Sequence, residues 1–181
     1  MDQQVIDLQN DLITRCKMGD QDAHYRLYKL YSRSMYNVAY RIVGNEDDAT
    51  DVLQEAFISA FRNLESYRAD ATFGAWIKRI VVNKSINALQ RRRFEPIPDD
   101  DRWDVAEEEA PTEYGDGLTV ERVKKSIEQL PDGYRSVLSL YLLEGYDHQE
   151  IGEIMGISES TSKSQLNRAK SKLRELLTGK V

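Results

Sequence analysis

The sequence predicts an all-α protein made of two small helical domains joined by an acidic flexible linker. Three observations carry that expectation. Apolar residues recur at three- and four-residue steps in both halves of the 181-residue chain, and no alternating strand pattern of useful length interrupts them. Three of the four prolines fall between Glu95 and Gly117, in the stretch EPIPDDDRWDVAEEEAPTEYGDG, which is rich in acids and poor in aliphatic side chains. Such a segment buries too little apolar surface to fold by itself. The parts on either side, residues 1–95 and 119–181, are each long enough for one small domain, and a hydrophobic content of 40% permits globular folding.

Taken in chain order, the first strong helix spans residues 22–43, burying Leu27, Leu30, Tyr31, Val38, Ala39 and Ile42 and stopping at Gly44-Asn45. The next covers 47–65, where Ala49, Val52, Leu53, Ala56, Phe57, Ala60, Phe61 and Leu64 form one apolar stripe. Its opposite face carries Asp48, Asp51, Gln54, Glu55 and Arg62. A polar loop over 66–72 leads to a helix over 73–93 with Phe73, Trp76, Ile77, Ile80 and Val81 inward. Trp76 lies on that apolar stripe and reads as a core residue rather than a wedge in a nucleic-acid duplex.

Beyond the linker, a helix over 119–129 is closed by Pro131, and another over 134–144 ends at Gly145. A short helix over 148–155, a turn at Gly156-Ile157-Ser158 and a longer helix over 159–177 then form a helix-turn-helix arrangement, with Ser158 placed to cap the last helix.

The formal net charge of −6 argues at first against a nucleic-acid partner. Its distribution reverses that argument. Residues 1–95 carry 14 basic and 13 acidic side chains, 96–118 carry 1 and 9, and 119–181 carry 10 and 9, so the acidity resides in the linker. Residues 73–94 hold Lys78, Arg79, Lys84, Arg91, Arg92 and Arg93 without an acid, and residues 160–174 hold Lys163, Arg168, Lys170, Lys172 and Arg174 without one. Two basic helices separated by an acidic connector suit a grip on nucleic acid at two places, although each run alone also fits a solvated helix face.

At 100° per residue, Ser162, Leu166, Ala169 and Leu173 of the last helix share one arc, and Ser160, Lys163, Ser164, Asn167 and Ser171 lie opposite. Small hydroxyls, an amide and a lysine near a helix N-terminus can bond base edges, and Thr161 belongs to the same first turn. Arg168, Lys170 and Lys172 further along suit phosphates.

Several function classes are excluded. There is no phosphate-binding glycine loop, no Ser-His-Asp or Cys-His arrangement and no paired-histidine metal motif, so neither an enzyme nor a cofactor is expected. Cys16 is the single cysteine, and His24 and His148 stand far apart. Asp47-Asp48 opens a helix, where acids favour the dipole, and Asp99-Asp100-Asp101 lies in the linker, so neither reads as a metal site. No stretch approaches the roughly 18 apolar residues of a membrane span, and Met1-Asp2-Gln3-Gln4 lacks the order of a secretory signal. A cytoplasmic protein without direct membrane insertion is expected.

In combination, Asp47-Asp48-Ala49-Thr50-Asp51-Val52-Leu53-Gln54-Glu55-Ala56-Phe57, the segment Phe73-Gly74-Ala75-Trp76-Ile77-Lys78-Arg79-Ile80 through Asn83 to Arg91-Arg92-Arg93, and Leu130-Pro131 through Ser164-Gln165-Leu166-Asn167-Arg168-Ala169 resemble the sigma-70 family of bacterial RNA polymerase. The resemblance covers nearly the whole chain in the family's order, and two domains without a middle one place it with the extracytoplasmic-function group.

It implies a promoter-recognition subunit with core RNA polymerase and promoter DNA as partners, no small-molecule substrate, and an anti-sigma factor as controller. Asp48, Asp51, Gln54 and Glu55 would dock on the β′ clamp helices, and the C-terminal domain on the β flap. Tyr67, Arg68, Ala69 and Asp70 would line a pocket for an extruded minus-ten base. Lys78, Arg79, Lys84, Arg91, Arg92 and Arg93 would hold phosphates there, with Asn83 and Asn87 bonding base or backbone. Ser160, Thr161, Lys163, Ser164, Asn167, Arg168, Lys170 and Lys172 would bind the minus-35 element. The linker either enters the polymerase channel as an RNA mimic or is a solvated tether. Ser162 stands where the family often has valine, which slightly weakens the expected packing of the helix, and Gln165 where it often has arginine, which leaves the promoter bases open. The competing reading is a free-standing helix-turn-helix regulator that binds operator DNA without polymerase.

Overall fold

The computed structural model describes residues 3–92 and 118–178, with side chains from residue 9 onward. Arg93 and all of the acidic connector except Leu118 lie outside the described residues. Every regular element among the described residues is helical: α1 (Gln3–Lys17), α2 (Gln21–Val43), α3 (Glu46–Arg62), a 3-10 turn (Leu64–Ser66), α4 (Phe73–Arg92), α5 (Val120–Glu128), α6 (Asp132–Leu138) continuing as a π turn (Ser139–Leu143), α7 (His148–Met155) and α8 (Glu159–Thr178). The chain falls into two compact units, one comprising Met1–Tyr40 with Asn45–Ala88 and one built on α5–α8.

In the first unit, α3 starts where Asn45 accepts a hydrogen bond from the Asp48 backbone N–H at 2.8 Å, with Glu46, Asp47 and Asp48 against the positive end of the helix dipole. Ala49, Val52, Leu53, Ala56, Phe57 and Ala60 of this helix are buried, and three alanines in that stripe leave room for close helix approach. The helix is shorter than its hydrophobic period suggests, because Asn63 takes up the Ser59 carbonyl with its side-chain amide at 2.8 Å and leaves helical geometry. Leu64 still reaches the core from the 3-10 turn that follows.

Helix α4 buries Phe73, Ile77, Val81, Val82, Ile86 and Leu89, whereas Trp76 and Ile80 are half-buried. The hydroxyl of fully buried Ser85 donates to the Val81 carbonyl at 2.8 Å, so no polar atom is stranded. Leu30 of α2, expected inward, is 53% exposed. It lies roughly 100° around the helix from the centre of the buried arc at Leu27, Met35, Val38 and Ile42, outside the stripe.

Helix α1 was not foreshadowed by the periodicity. Among its described side chains, Leu12, Ile13 and Cys16 are buried. Arg15 joins it to the start of α2, donating from Nη2 to Asp20 Oδ2 at 2.7 Å while Asp20 Oδ1 caps α2 by accepting from the Asp22 N–H at 2.9 Å.

In the second unit, Thr119 caps α5 and Pro131 precedes α6, a position where its missing N–H costs nothing. The helix expected over 134–144 therefore starts two residues earlier, at Asp132. It finishes as a π turn that leaves Tyr141, Leu142 and Leu143 exposed. Leu130, Val137, Leu138, Leu140, Ile151, Leu166, Ala169 and Leu177 form the core. Arg135 is buried among them and is satisfied by the Leu130 carbonyl at 2.9 Å and by Asp132 at 2.6 Å.

Candidate nucleic-acid and polymerase interfaces

The helix-turn-helix is built by local chemistry on both sides of its turn. Asp147 caps α7 through a reciprocal pair: its carboxylate accepts from the Glu150 N–H at 2.8 Å, and its own N–H donates to Glu150 Oε2 at 2.9 Å. Gly156 ends α7 in the left-handed region at φ 70°, a conformation that costs other residues dearly. Ser158 then caps α8, accepting from the Thr161 N–H at 3.0 Å. Gly152 lets the turn fold back closely, since a Cβ there would stand 2.8 Å from the Ile157 carbonyl oxygen.

Helix α8 is oriented by Ser162, Leu166 and Ala169, all buried. The serine hydroxyl shares a hydrogen bond with His148 Nδ1 at 2.9 Å, and the His148 ring stacks on Tyr141 at 4.5 Å and 20°. A polar residue in an apolar arc is thus supplied with a partner from α7, and His148 is a supporting residue that sequence reasoning missed. Its signal was the serine itself, because a buried hydroxyl requires a donor or acceptor nearby.

Ser160, Lys163, Ser164, Asn167 and Lys172 of the predicted face are exposed, and Thr161, Arg168 and Lys170 are partly so. Several of these groups have partners within the helix. Lys163 pairs with Glu159 at 2.7 Å and Lys172 with Glu175 at 2.8 Å, both in solvent where such pairs contribute little. Ser158 Oγ also shares hydrogen bonds with the hydroxyls of Ser160 and Thr161 at 2.9 and 2.7 Å. Base contacts by those hydroxyls would exchange existing bonds.

On α4, Arg79, Asn83, Asn87 and Arg91 are all exposed and stand four residues apart. They form a stripe about 18 Å long from Arg79 to Arg91. Lys78 and Lys84 flank it, half-buried, and Arg92 is exposed beyond it. In the loop before α4, Arg68, Ala69 and Asp70 are exposed, but Tyr67 turns inward. Its burial pushes the phenol above its ordinary pKa.

The α3 face brings Asp51, Gln54 and Glu55 together in solvent, while Asp48 is half-buried and accepts from the Asn45 side-chain amide at 2.6 Å. Ile58, 51% exposed, continues that face one turn beyond Gln54 and Glu55. Sequence reasoning passed over it because isoleucine is expected inside. Lys84 of α4 reaches Glu55 at 3.5 Å, so an anion on the α3 face and a cation on the basic helix are neighbours.

The described residues thus combine an acid-and-amide helix face beside a basic helix with a helix-turn-helix, an arrangement found in many DNA-binding proteins. Residues 27–95 match the family described as Sigma-70 region 2 and residues 121–173 the one described as Sigma-70, region 4. The chain is 33% identical over 179 residues to the ECF RNA polymerase sigma factor SigW of Bacillus subtilis, an alignment covering 91% of this chain and 94% of SigW. It is also 33% identical over 181 residues to the ECF RNA polymerase sigma-E factor of Escherichia coli, covering 94% and 92%. Among solved structures, the sigma factor RpoE in complex with the anti-sigma factor NepR from Bartonella quintana has the same fold, with a TM-score of 0.57 at 23% identity over 87% of this chain and 98% of that one. CnrH in complex with the cytosolic domain of CnrY gives 0.53 at 23% identity over 94% and 97%. The chain belongs to the sigma-70 family and is an RNA polymerase sigma factor of the extracytoplasmic-function type. Among the described residues no helix is long and apolar enough to cross a membrane.

Proposed function

We propose the following division of labour for this sigma factor. Residues 1–95 bind core polymerase and the minus-ten element, residues 96–118 connect, and residues 119–181 bind the minus-35 element. Ser164 and Asn167, with Ser160, Thr161 and Lys163 after exchange of their present partners, meet base edges in the major groove; Arg168, Lys170 and Lys172 hold phosphates. The Arg79–Asn83–Asn87–Arg91 stripe, with Lys78, Lys84, Arg92 and Arg93, follows the strand opened at minus ten, and the loop bearing Arg68 and Asp70 receives an extruded base. Unstacking that base costs a few kcal/mol, which a pocket and phosphate contacts can offset. Asp51, Gln54 and Glu55, with Asp48 shaping the helix start, dock on the β′ clamp helices, and the second unit docks on the β flap.

The protein has no catalytic activity of its own and acts in the cytoplasm. An anti-sigma factor controls it by covering these faces; the similar sigma factor RpoE is found in complex with the anti-sigma factor NepR. What supports the reading above all is the division of α8, where Ser162, Leu166 and Ala169 are buried and the hydroxyl-and-amide face opposite is left to solvent.

The test is run-off transcription with core RNA polymerase of the source bacterium on a genomic fragment library, with start-site mapping. New starts sharing two spaced elements, lost in Q54A and E55K proteins that still fold, are expected. No core-dependent initiation, together with tight binding of the free protein to duplex DNA, would refute the reading and favour a free-standing regulator.

A further inference from the structure

The loop between the 3-10 turn and α4 combines a buried anchor with a strained residue. Tyr67 is 9% exposed, and its ring packs against Phe73 edge-on at 5.6 Å and against Trp76 at 5.3 Å. Its hydroxyl donates to the Ala71 carbonyl at 2.8 Å, closing the loop on itself across four residues. Two residues on, Ala69 has φ 60°, and it is the one non-glycine residue with positive φ among the described residues. An alanine held in that region costs about 1–2 kcal/mol, so the surrounding bonds must impose the conformation. They come from both ends: the Tyr67 N–H donates to the Leu64 carbonyl at 3.1 Å, and the Trp76 N–H to the Thr72 carbonyl at 3.0 Å. Lys17 Nζ adds a 3.4 Å bond to the Tyr67 carbonyl. The result is a turn whose inner side is fixed while Arg68, Asp70, Ala71 and Thr72 face solvent.

We propose that Tyr67 and Ala69 are positioning residues for base discrimination: together they hold residues 68–72 in one open shape before DNA arrives, and Tyr67 itself does not touch the base. This rests on the reading that the loop receives a minus-ten base. Preorganisation matters here because a loop that must order itself around an extruded base spends binding free energy on ordering, and its preference for the right base is blunted. The phenol could not serve both ends, since its hydroxyl is already committed to Ala71 and its buried ring packs against Phe73 and Trp76.

The test uses holoenzyme reconstituted with wild-type, Y67F or A69G protein. Initiation is measured on promoters carrying each single-base substitution across the minus-ten and minus-35 elements. The readout is the ratio of output from the best base to that from a substituted base. Partial unfolding lowers output on all templates alike and leaves that ratio unchanged. Y67F keeps the ring and removes one part-buried hydrogen bond, so discrimination at one minus-ten position should fall by roughly 2- to 10-fold. A69G relieves the strain and frees the turn, so it should lower the same ratio while keeping thermal stability. Ratios at minus 35 should not change for either variant. Unchanged minus-ten ratios in both variants would overturn the proposal. If Y67F failed to fold, A69G would decide alone. Minus-ten ratios unchanged also in R68A and D70A holoenzymes, which lack the side chains facing the proposed base site, would instead sink the underlying reading of the loop.

Discussion

A single methyl group at Gly152 should separate the α7–α8 geometry from the mere stability of the second unit. In G152A the new Cβ would stand 2.8 Å from the Ile157 carbonyl oxygen and 3.7 Å from both the Ser158 carbonyl carbon and the Glu159 nitrogen. The first distance is about 0.6 Å short of ordinary contact, and no rotamer relieves it because every atom concerned is backbone. The Ile157 N–H donates to the Gly152 carbonyl at 3.0 Å, so moving the turn away stretches that bond too. Overpacking of this kind costs about 1–3 kcal/mol. For a unit of some 60 residues each kcal/mol lowers the melting midpoint by roughly 4–8 °C. A displaced turn also carries α8 with it, and Asn167 lies about 12 Å along the helix from Glu159. Misplacing one good base contact forfeits about 1–3 kcal/mol, so output from a minus-35-dependent promoter should fall about tenfold below the unfolding midpoint. Gly156 is the control: it has φ 70° but nothing within 4 Å of its would-be Cβ. G156A should cost about 1–2 kcal/mol of backbone strain and leave promoter output at low temperature within about twofold. Thermal denaturation and run-off transcription measure both. A G152A protein with unchanged midpoint and full output, or a G156A protein with the larger transcription defect, would refute the argument.

Further outcomes follow from the same geometry. S162A leaves His148 without its α8 partner and should lower stability by about 0.5–1.5 kcal/mol, with a double-mutant cycle against H148A showing that the two losses overlap. The Asp20 carboxyl is held below its ordinary pKa chiefly by the hydrogen bond from Arg15 and then by the Ala23 backbone N–H. Its contribution is therefore present above the ordinary carboxylate pKa near 4 and is lost as pH falls through the lower folded value. D20N should flatten the acid limb of a stability–pH curve below about pH 4. Burial pushes the Cys16 thiol up to about 11, so disulfide exchange reagents at pH 8 should modify it only as fast as the α1–α2 region opens, and urea should speed the reaction sharply.

Helix existence was legible wherever apolar spacing was long and regular. The stripe from Ala49 to Ala60 and the one from Phe73 to Val81 predicted α3 and α4, and Ser158 predicted the cap of α8. Helix α1 was not among the helices expected, and of its described side chains Leu12, Ile13 and Cys16 are buried. The end of α3 escaped because the apolar period runs on through Leu64 although Asn63 has already diverted the backbone.

The faces of α3, α4 and α8 on which the proposed sites lie are determined by sequence alone, because side-chain direction along a helix follows from position and needs no partner. Which members of a face are free, bound or inward depends on atoms distant in sequence. Only the tertiary structure reveals that Ser162 is matched by His148, that Glu55 has Lys84 for a neighbour, that Gly152 leaves space for a backbone carbonyl, and that Tyr67 faces the core while Arg68 and Asp70 face solvent. The physical reason is range: helical periodicity acts over three or four residues, whereas hydrogen bonds and van der Waals exclusion act between whatever atoms the fold brings within a few ångströms.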